Sequence, residues 1–355
     1  MKKQKKVLTI GAFDLAKGVG MLCIIVGHTM YRYDIPMTGL NIIIRILGIG
    51  LMPMFFLISG IGVRKMNEKK LLKKMKNELL CPYLYITISV VILFPLFHYL
   101  AFRGWQGAIS ETVRTGLAYF AGSAESGKEF LGIKLYECSV AWFFLALFWG
   151  NGILNFILVK IKEKYQLLTV CLFILIGFGC TIIDFWYLCI PQGCFAVGYI
   201  YFGYRIKRSG WLEKRCVLWH GILLAGISFF EIVWGEVNLA YSTFKWGVID
   251  YLGAGLAGLS MLRINLWLNR FEGKVSEIIC KIGRYTYYAM CVHSVEINCI
   301  PWYLLSEKFK SCPYFGFLLE ISFRSCILII GCIILSKISR YIRKKRKETC
   351  IKKSF

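Results

Sequence analysis

The amino-acid sequence predicts an all-α integral membrane protein, a polytopic bundle of about ten transmembrane helices with both termini in the cytoplasm. First, 57% of its 355 residues are apolar and only 18% are charged, which is more hydrophobic surface than one soluble domain needs to bury. Second, the apolar runs are continuous over roughly 20 residues, as transmembrane helices require, and do not alternate as barrel strands do. Third, basic residues concentrate in every second connection.

The sequence shows no internal repeat and no second hydrophilic domain between the predicted spans, and the longest polar connection is 102–138. Residues 1–355 are therefore interpreted as a single membrane domain. The first run contains Asp14 and Lys17 and is followed by further spans, so we expect a first helix rather than a cleaved signal peptide. The expected spans are 10–31, 39–63, 79–101, 139–160, 166–184, 187–206, 216–235, 246–264, 282–305 and 313–337.

The net charge of +24 could suggest a nucleic-acid partner, but its distribution indicates a lipid bilayer instead. Most of the 44 Lys and Arg residues fall in alternate connections, as the positive-inside rule requires of cytoplasmic segments. There are four in the N-terminal tail, seven in Arg64–Lys76, three in Lys160–Lys164, five in Arg205–Arg215, five in Arg263–Arg284 and nine from Lys337 onward.

The first span carries the best candidate chemistry, because charged groups inside hydrocarbon are costly and mark function. Lys17 and His28 are eleven residues apart, so they share a helix face about 16 Å apart along the axis. Asp14 can pair with Lys17 one turn below. His28 could act as general base in acyl transfer, and Lys17, nearer the cytoplasm, could meet a donor phosphate. A structural histidine and a lysine snorkelling to the interface remain the alternative.

Four other polar or aromatic residues are candidates for substrate binding. His293 and Glu296 lie at i and i+3 of the ninth span, where they could orient each other, bind acceptor or simply satisfy one hydrogen bond. Arg45 begins the second helix on the outer side and could complement the charge of the site. Trp142 could line an acyl tunnel or anchor the interface. The 15 cysteines lack metal-ligand pairing, so we expect packing residues and no metal.

Motif-like stretches are spread over nearly the whole chain. They are FDLAKGVGMLCIIVGH at 13–28, LMPMFFLISG at 51–60 with the basic segment and Pro82 after it, AWFFLALF at 141–148, YFGYRIK at 201–207 and IGRYTYYAMCVH at 282–293. Together they resemble the acyltransferase-3 family of integral membrane acyltransferases, which includes peptidoglycan and polysaccharide O-acetyltransferases.

The resemblance implies transfer of an acyl group, commonly acetyl from acetyl-CoA, to a hydroxyl of a cell-surface glycan or other exported acceptor. It implies a multi-pass protein of the cell membrane with acyl-CoA as donor. His28 matches the essential histidine of the family. Lys17 takes the place of the family's arginine, and a lysine offers phosphate a point charge rather than a bidentate fork.

A second resemblance concerns residues 238–262 and the sequence CVHSVE at 291–296. Both are similar to the membrane half of vancomycin-resistance serine racemases. The pyridoxal-binding racemase half is missing from this sequence, so racemization is not expected. The alternative function is therefore a transporter-like protein that binds or moves a small polar solute such as serine, with His28, Arg45 and Glu296 as its ligands.

Overall fold

The computed structural model describes residues 11, 13–33, 39–213, 218–271 and 273–352. Within them the chain is almost entirely helical. The helices are α1 Asp14–Met30, α2 Gly39–Gly62, α3 Glu68–Met75, α4 Cys81–Phe102, α5 Ala108–Ala121, α6 Trp142–Lys160, α7 Glu163–Ile182, α8 Ile190–Arg208, α9 Leu218–Val233, α10 Val248–Leu268, α11 Lys274–Cys299, α12 Tyr303–Lys308 and α13 Pro313–Lys352. Two short antiparallel hairpins lie in connections: β1 Glu129–Phe130 with β2 Ile133–Lys134, and β3 Val237–Asn238 with β4 Thr243–Phe244.

The all-α membrane architecture is confirmed. Every predicted span contains most of one long helix, namely α1, α2, α4, α6 to α11 or α13. Among the described residues, five helical stretches are by themselves long and apolar enough to cross a bilayer. These are Ile42–Gly62, Glu68–Phe102, Ser139–Lys160, Glu163–Ile182 and Pro313–Ile342. The number of crossings and the side on which each terminus lies stay predictions.

Helices α11 and α13 differ most from the expected spans. Helix α11 begins at Lys274 and ends at Cys299, because Pro301 disfavours helical backbone in the residue before it. Helix α13 continues to Lys352, since the lysines and arginines of the tail are good helix formers. The longest predicted polar connection, 102–138, contains α5 and the first hairpin.

Helix α1 packs against α2 and α11, and α11 packs in turn against α4 and α13. The contact between α1 and α11 is backbone to backbone. A β-carbon on Gly18 would overlap the carbonyl oxygen of Ile279, and one on Gly283 would overlap that of Asp14. Small residues permit this approach. The last turn of α1 lies against α11 through His28 and His293, and against α13 through Met30 and Phe317.

Candidate active site

His28 occupies the last turn of α1, where its side chain is exposed to a cavity of about 240 Å³. Trp142, at the start of α6, lines the same cavity. The wall combines apolar side chains with a few polar ones, which is typical of a small-molecule site. The polar lining residues besides His28 are Glu137, Ser139, Asn238 and Tyr241.

One wall of the cavity is formed by two connections that touch each other. The Tyr241 hydroxyl, in the β3–β4 hairpin, donates to the Glu137 carboxylate over 3.2 Å. Burial raises the pKa of Glu137, and the hydrogen bond from Tyr241 partly opposes that shift. Burial and the Glu137 charge raise the pKa of Tyr241 to about 12. Tyr241 therefore remains protonated and donates to Glu137, which lines the cavity.

Behind His28 lies a second histidine, His293 of α11, with 5.5 Å between the two ring centroids. His293 is fully buried, and its Nδ1 lies 2.6 Å from Glu296 Oε1. A carboxylate at Nδ1 favours the tautomer that carries its proton there, which leaves the Nε2 lone pair free to accept. Among the described residues, Nε2 has no hydrogen-bond partner. Glu296 thus orients His293 so that its Nε2 can accept a proton or a hydrogen bond.

Glu296 has two further partners. Its Oε2 accepts a 2.6 Å hydrogen bond from the Trp302 indole, and its Oε1 lies 3.3 Å from Arg324 Nη1. Arg324 is fully buried on α13, with its guanidinium 4.9 Å from the centre of the Trp302 ring. It also donates from Nε to Glu320 Oε1 over 2.9 Å. Both carboxylates are therefore tied to one arginine.

Glu320 connects this network to the residues at the end of α1. It accepts from Tyr33 over 3.1 Å and from Arg32 over 3.3 Å, and Arg32 also donates to the His28 carbonyl over 2.8 Å. Two arginines and two carboxylates balance, as burial of charge requires. We refer to these four residues, Arg32, Glu296, Glu320 and Arg324, as the charge cluster. It joins the ends of α1, α11 and α13 around the two histidines.

Lys17 lies outside this arrangement. Its Nζ is 2.6 Å from Asp14 Oδ1, the pairing that the i, i+3 spacing predicts. Arg45 has an exposed side chain on α2 and does not belong to the residues that line the cavity. The structure therefore brings together His28, His293, Glu296 and Trp142, and it places Lys17 and Arg45 elsewhere.

Sequence reasoning missed three of the four residues of the charge cluster, and Tyr33 beside them, although part of the signal was present. Glu320 and Arg324 stand at i and i+4 inside the apolar run 313–337, where any charge is a functional candidate. Arg32 and Tyr33 follow His28 directly, but their partner lies on a helix far along the chain.

The family model for the acyltransferase domain matches residues 10–337, nearly the whole chain. The chain belongs to the acyltransferase-3 family. It is accordingly a membrane O-acyltransferase. No match was found among curated proteins or solved structures. In such an acyltransferase an attacking hydroxyl must lose its proton, and His28 is the imidazole side chain that lines the cavity.

Proposed function

We propose that the enzyme transfers an acyl group, most simply acetyl, from cytoplasmic acyl-CoA to a hydroxyl of a cell-surface glycan or another extracytoplasmic acceptor. One observation carries the proposal: His28 opens into a cavity walled by the connections that the charge pattern assigns to the outside. The protein would lie in the cell membrane with both termini cytoplasmic. A donor could then enter from one side and an acceptor from the other.

In the proposed reaction the acceptor hydroxyl oxygen attacks the thioester carbonyl carbon. The hydroxyl proton passes to His28 as the new C–O bond forms. The C–S bond then breaks, and the departing sulfur takes the proton from the His28 imidazolium. The products are an ester and CoA with a free thiol, so His28 ends the cycle neutral.

His293 is proposed as a positioning residue. With its Nδ1 proton held by Glu296, its Nε2 can accept a hydrogen bond from one ring nitrogen of His28. The other His28 nitrogen is then left free as the base. The same contact stabilises the imidazolium as it forms, in the manner of a carboxylate-oriented histidine.

For the donor we propose that Lys17 binds a CoA phosphate at the predicted cytoplasmic end of α1. The distance of three helical turns to His28 suits an extended pantetheine-like arm rather than direct chemistry. Lys17 is 30% exposed, so a phosphate could reach it beside Asp14.

The test is release of free CoA thiol in membranes supplied with acetyl-CoA and a glycan acceptor. His28→Ala should reduce release by about 10²–10⁴-fold at equal abundance. His98→Ala, on α4 away from the cavity, is the matched control and should stay close to wild type. Undiminished release by His28→Ala would contradict the proposal, as would accumulation of labelled serine in vesicles without any acyl-CoA consumption.

A further inference from the structure

Two cysteines approach each other in the outer connections. Cys138 ends the connection before the 3-10 turn Ser139–Ala141, and Cys189 stands directly before α8. Both side chains are fully buried free thiols. The two cysteines are anchored on consecutive residues, Cys189 on Gly122 and Cys138 on Ser123. Cys189 Sγ lies 3.1 Å from the Gly122 carbonyl oxygen. The two cysteines therefore lie in segments that are roughly 50 residues apart along the chain.

The backbone on both sides of this contact is held in conformations that side-chain-bearing residues rarely adopt. Ser139 has φ of 46°, Leu188 of 53° and Cys189 of 52°. Left-handed backbone of this kind costs energy and persists only where the surroundings fix it. The Cys138 amide, for its part, donates to the Ser123 carbonyl over 2.6 Å. Both sulfurs are thus held in place rather than brought together by a mobile loop.

The same segment forms part of the cavity. Glu137 and Ser139, the two neighbours of Cys138, both line the cavity beside His28. A covalent bond at Cys138 would therefore fix that wall to the start of α8. Disulfides form in compartments outside the cytoplasm, which is where the charge pattern places these connections.

We propose that Cys138 and Cys189 form a structural disulfide bond as the outer connections fold, by exchange with a disulfide-bearing oxidant, protein or small molecule, of the compartment outside the membrane. The Cys138 thiolate attacks the oxidant disulfide and displaces one thiolate. The Cys189 thiolate then attacks the Cys138 sulfur of the mixed disulfide and displaces the second. Two S–S bonds form and two break. The oxidant is reduced to two thiols, which take the two protons that the cysteines lose.

The chain supplies an internal control. Cys291 of α11 and Cys332 of α13 also lie near each other, but within apolar helices that pack together in the membrane domain. An aqueous oxidant has no access to them there. A general tendency of neighbouring thiols to oxidise would link both pairs, whereas the proposal links only Cys138 to Cys189.

The experiment is a peptide map of the full-length protein. It is expressed in a host whose outer compartment forms disulfides, quenched in acid, alkylated with N-ethylmaleimide and digested without reductant. The expected result is a linked peptide containing Cys138 and Cys189, converted by reduction into two separate peptides, with Cys291 and Cys332 recovered as alkylated thiols. Recovery of Cys138 and Cys189 as alkylated thiols to the same extent as Cys291 and Cys332 would overturn the proposal.

A second measurement addresses the effect of the bond. Cys138→Ser should lower the unfolding temperature of the detergent-solubilised protein by on the order of 5 °C, because the open chain gains conformational freedom. Cys291→Ser, which breaks no link, should shift it less. Equal shifts in the two variants would indicate packing alone. The peptide map needs only the wild-type chain and does not depend on the acyl-transfer proposal.

Discussion

Replacement of Glu296 by glutamine tests whether the buried network serves the chemistry or only the fold. The carboxylate holds His293 Nδ1 at 2.6 Å, the Trp302 indole at 2.6 Å and Arg324 at 3.3 Å. Glutamine keeps the shape, but its amide group can donate to Nδ1. The His293 proton would then move to Nε2, so that this nitrogen could no longer accept from His28.

Two magnitudes follow from this geometry. A carboxylate lost from a balanced buried cluster leaves one uncompensated positive charge, which costs about 3–5 kcal/mol of stability. Loss of the correct histidine tautomer lowers turnover by on the order of 10²–10⁴-fold. The first effect reduces the number of folded molecules, and the second reduces the rate of each one.

Glu320→Gln is the matched control. It removes the same charge from the same arginine, since Arg324 Nε lies 2.9 Å from Glu320, but Glu320 is not hydrogen-bonded to His293. Folded protein is counted by fluorescence-detected gel filtration, and CoA release is measured per folded molecule from pH 5 to 9. Both variants should lose stability. Only Glu296→Gln should lose turnover by two orders of magnitude or more, with an altered pH profile.

Equal turnover per folded molecule in the two variants would refute the positioning role of His293. The charge cluster would then be a packing device that holds α1, α11 and α13 together, and His28 would act without a partner.

Three further predictions concern the donor, the acceptor and the topology. Lys17→Met should raise the KM for acetyl-CoA with little change in the saturated rate, and Lys17→Arg should preserve donor use. If Lys17→Met instead lowers the protein's abundance and adding Asp14→Asn restores it, the two residues form a purely structural pair. The acceptor KM should change on the acidic side of its pH profile as Glu137 gains a proton, at a higher pH than an ordinary glutamate because the pKa of Glu137 is raised. Glu137→Gln should remove that change, and a change that persists in the variant belongs to another group. An impermeant maleimide should label Leu131→Cys but not Lys69→Cys above the wild-type level in intact cells, and the reverse pattern would invert the topology.

Side-chain pairs within one helix could be predicted from the sequence, because helix geometry alone creates them. Asp14 with Lys17, and His293 with Glu296, are each three residues apart on one helix, and both contacts are present. Apolar runs likewise located the helices, because length and hydropathy suffice for that. Helix α5 was missed, since a short amphipathic helix outside the spans lacks that signal.

The contacts between helices could not be predicted in the same way. Nothing in a single sequence states that α1 lies against α11 or that α13 closes beside them. The 5.5 Å approach of His28 to His293 and the contacts of Glu320 with Arg32 and Tyr33 are products of that packing. Spacing identified His28 and His293 separately and gave no reason to join them.

The approach of His28 to His293 depends on two glycines, which have no reactive side chain. Because Gly18 and Gly283 bring the backbones of α1 and α11 into contact, the two helices have little freedom to separate along the shared face. The charge cluster then fixes the other end of α1 through the His28 carbonyl and its neighbouring arginine. A histidine in hydrocarbon would otherwise be free to rotate away from a substrate. Held at both ends, α1 presents His28 to the cavity on one side and to His293 on the other, which is the geometry that a base needs if its second nitrogen is to be oriented.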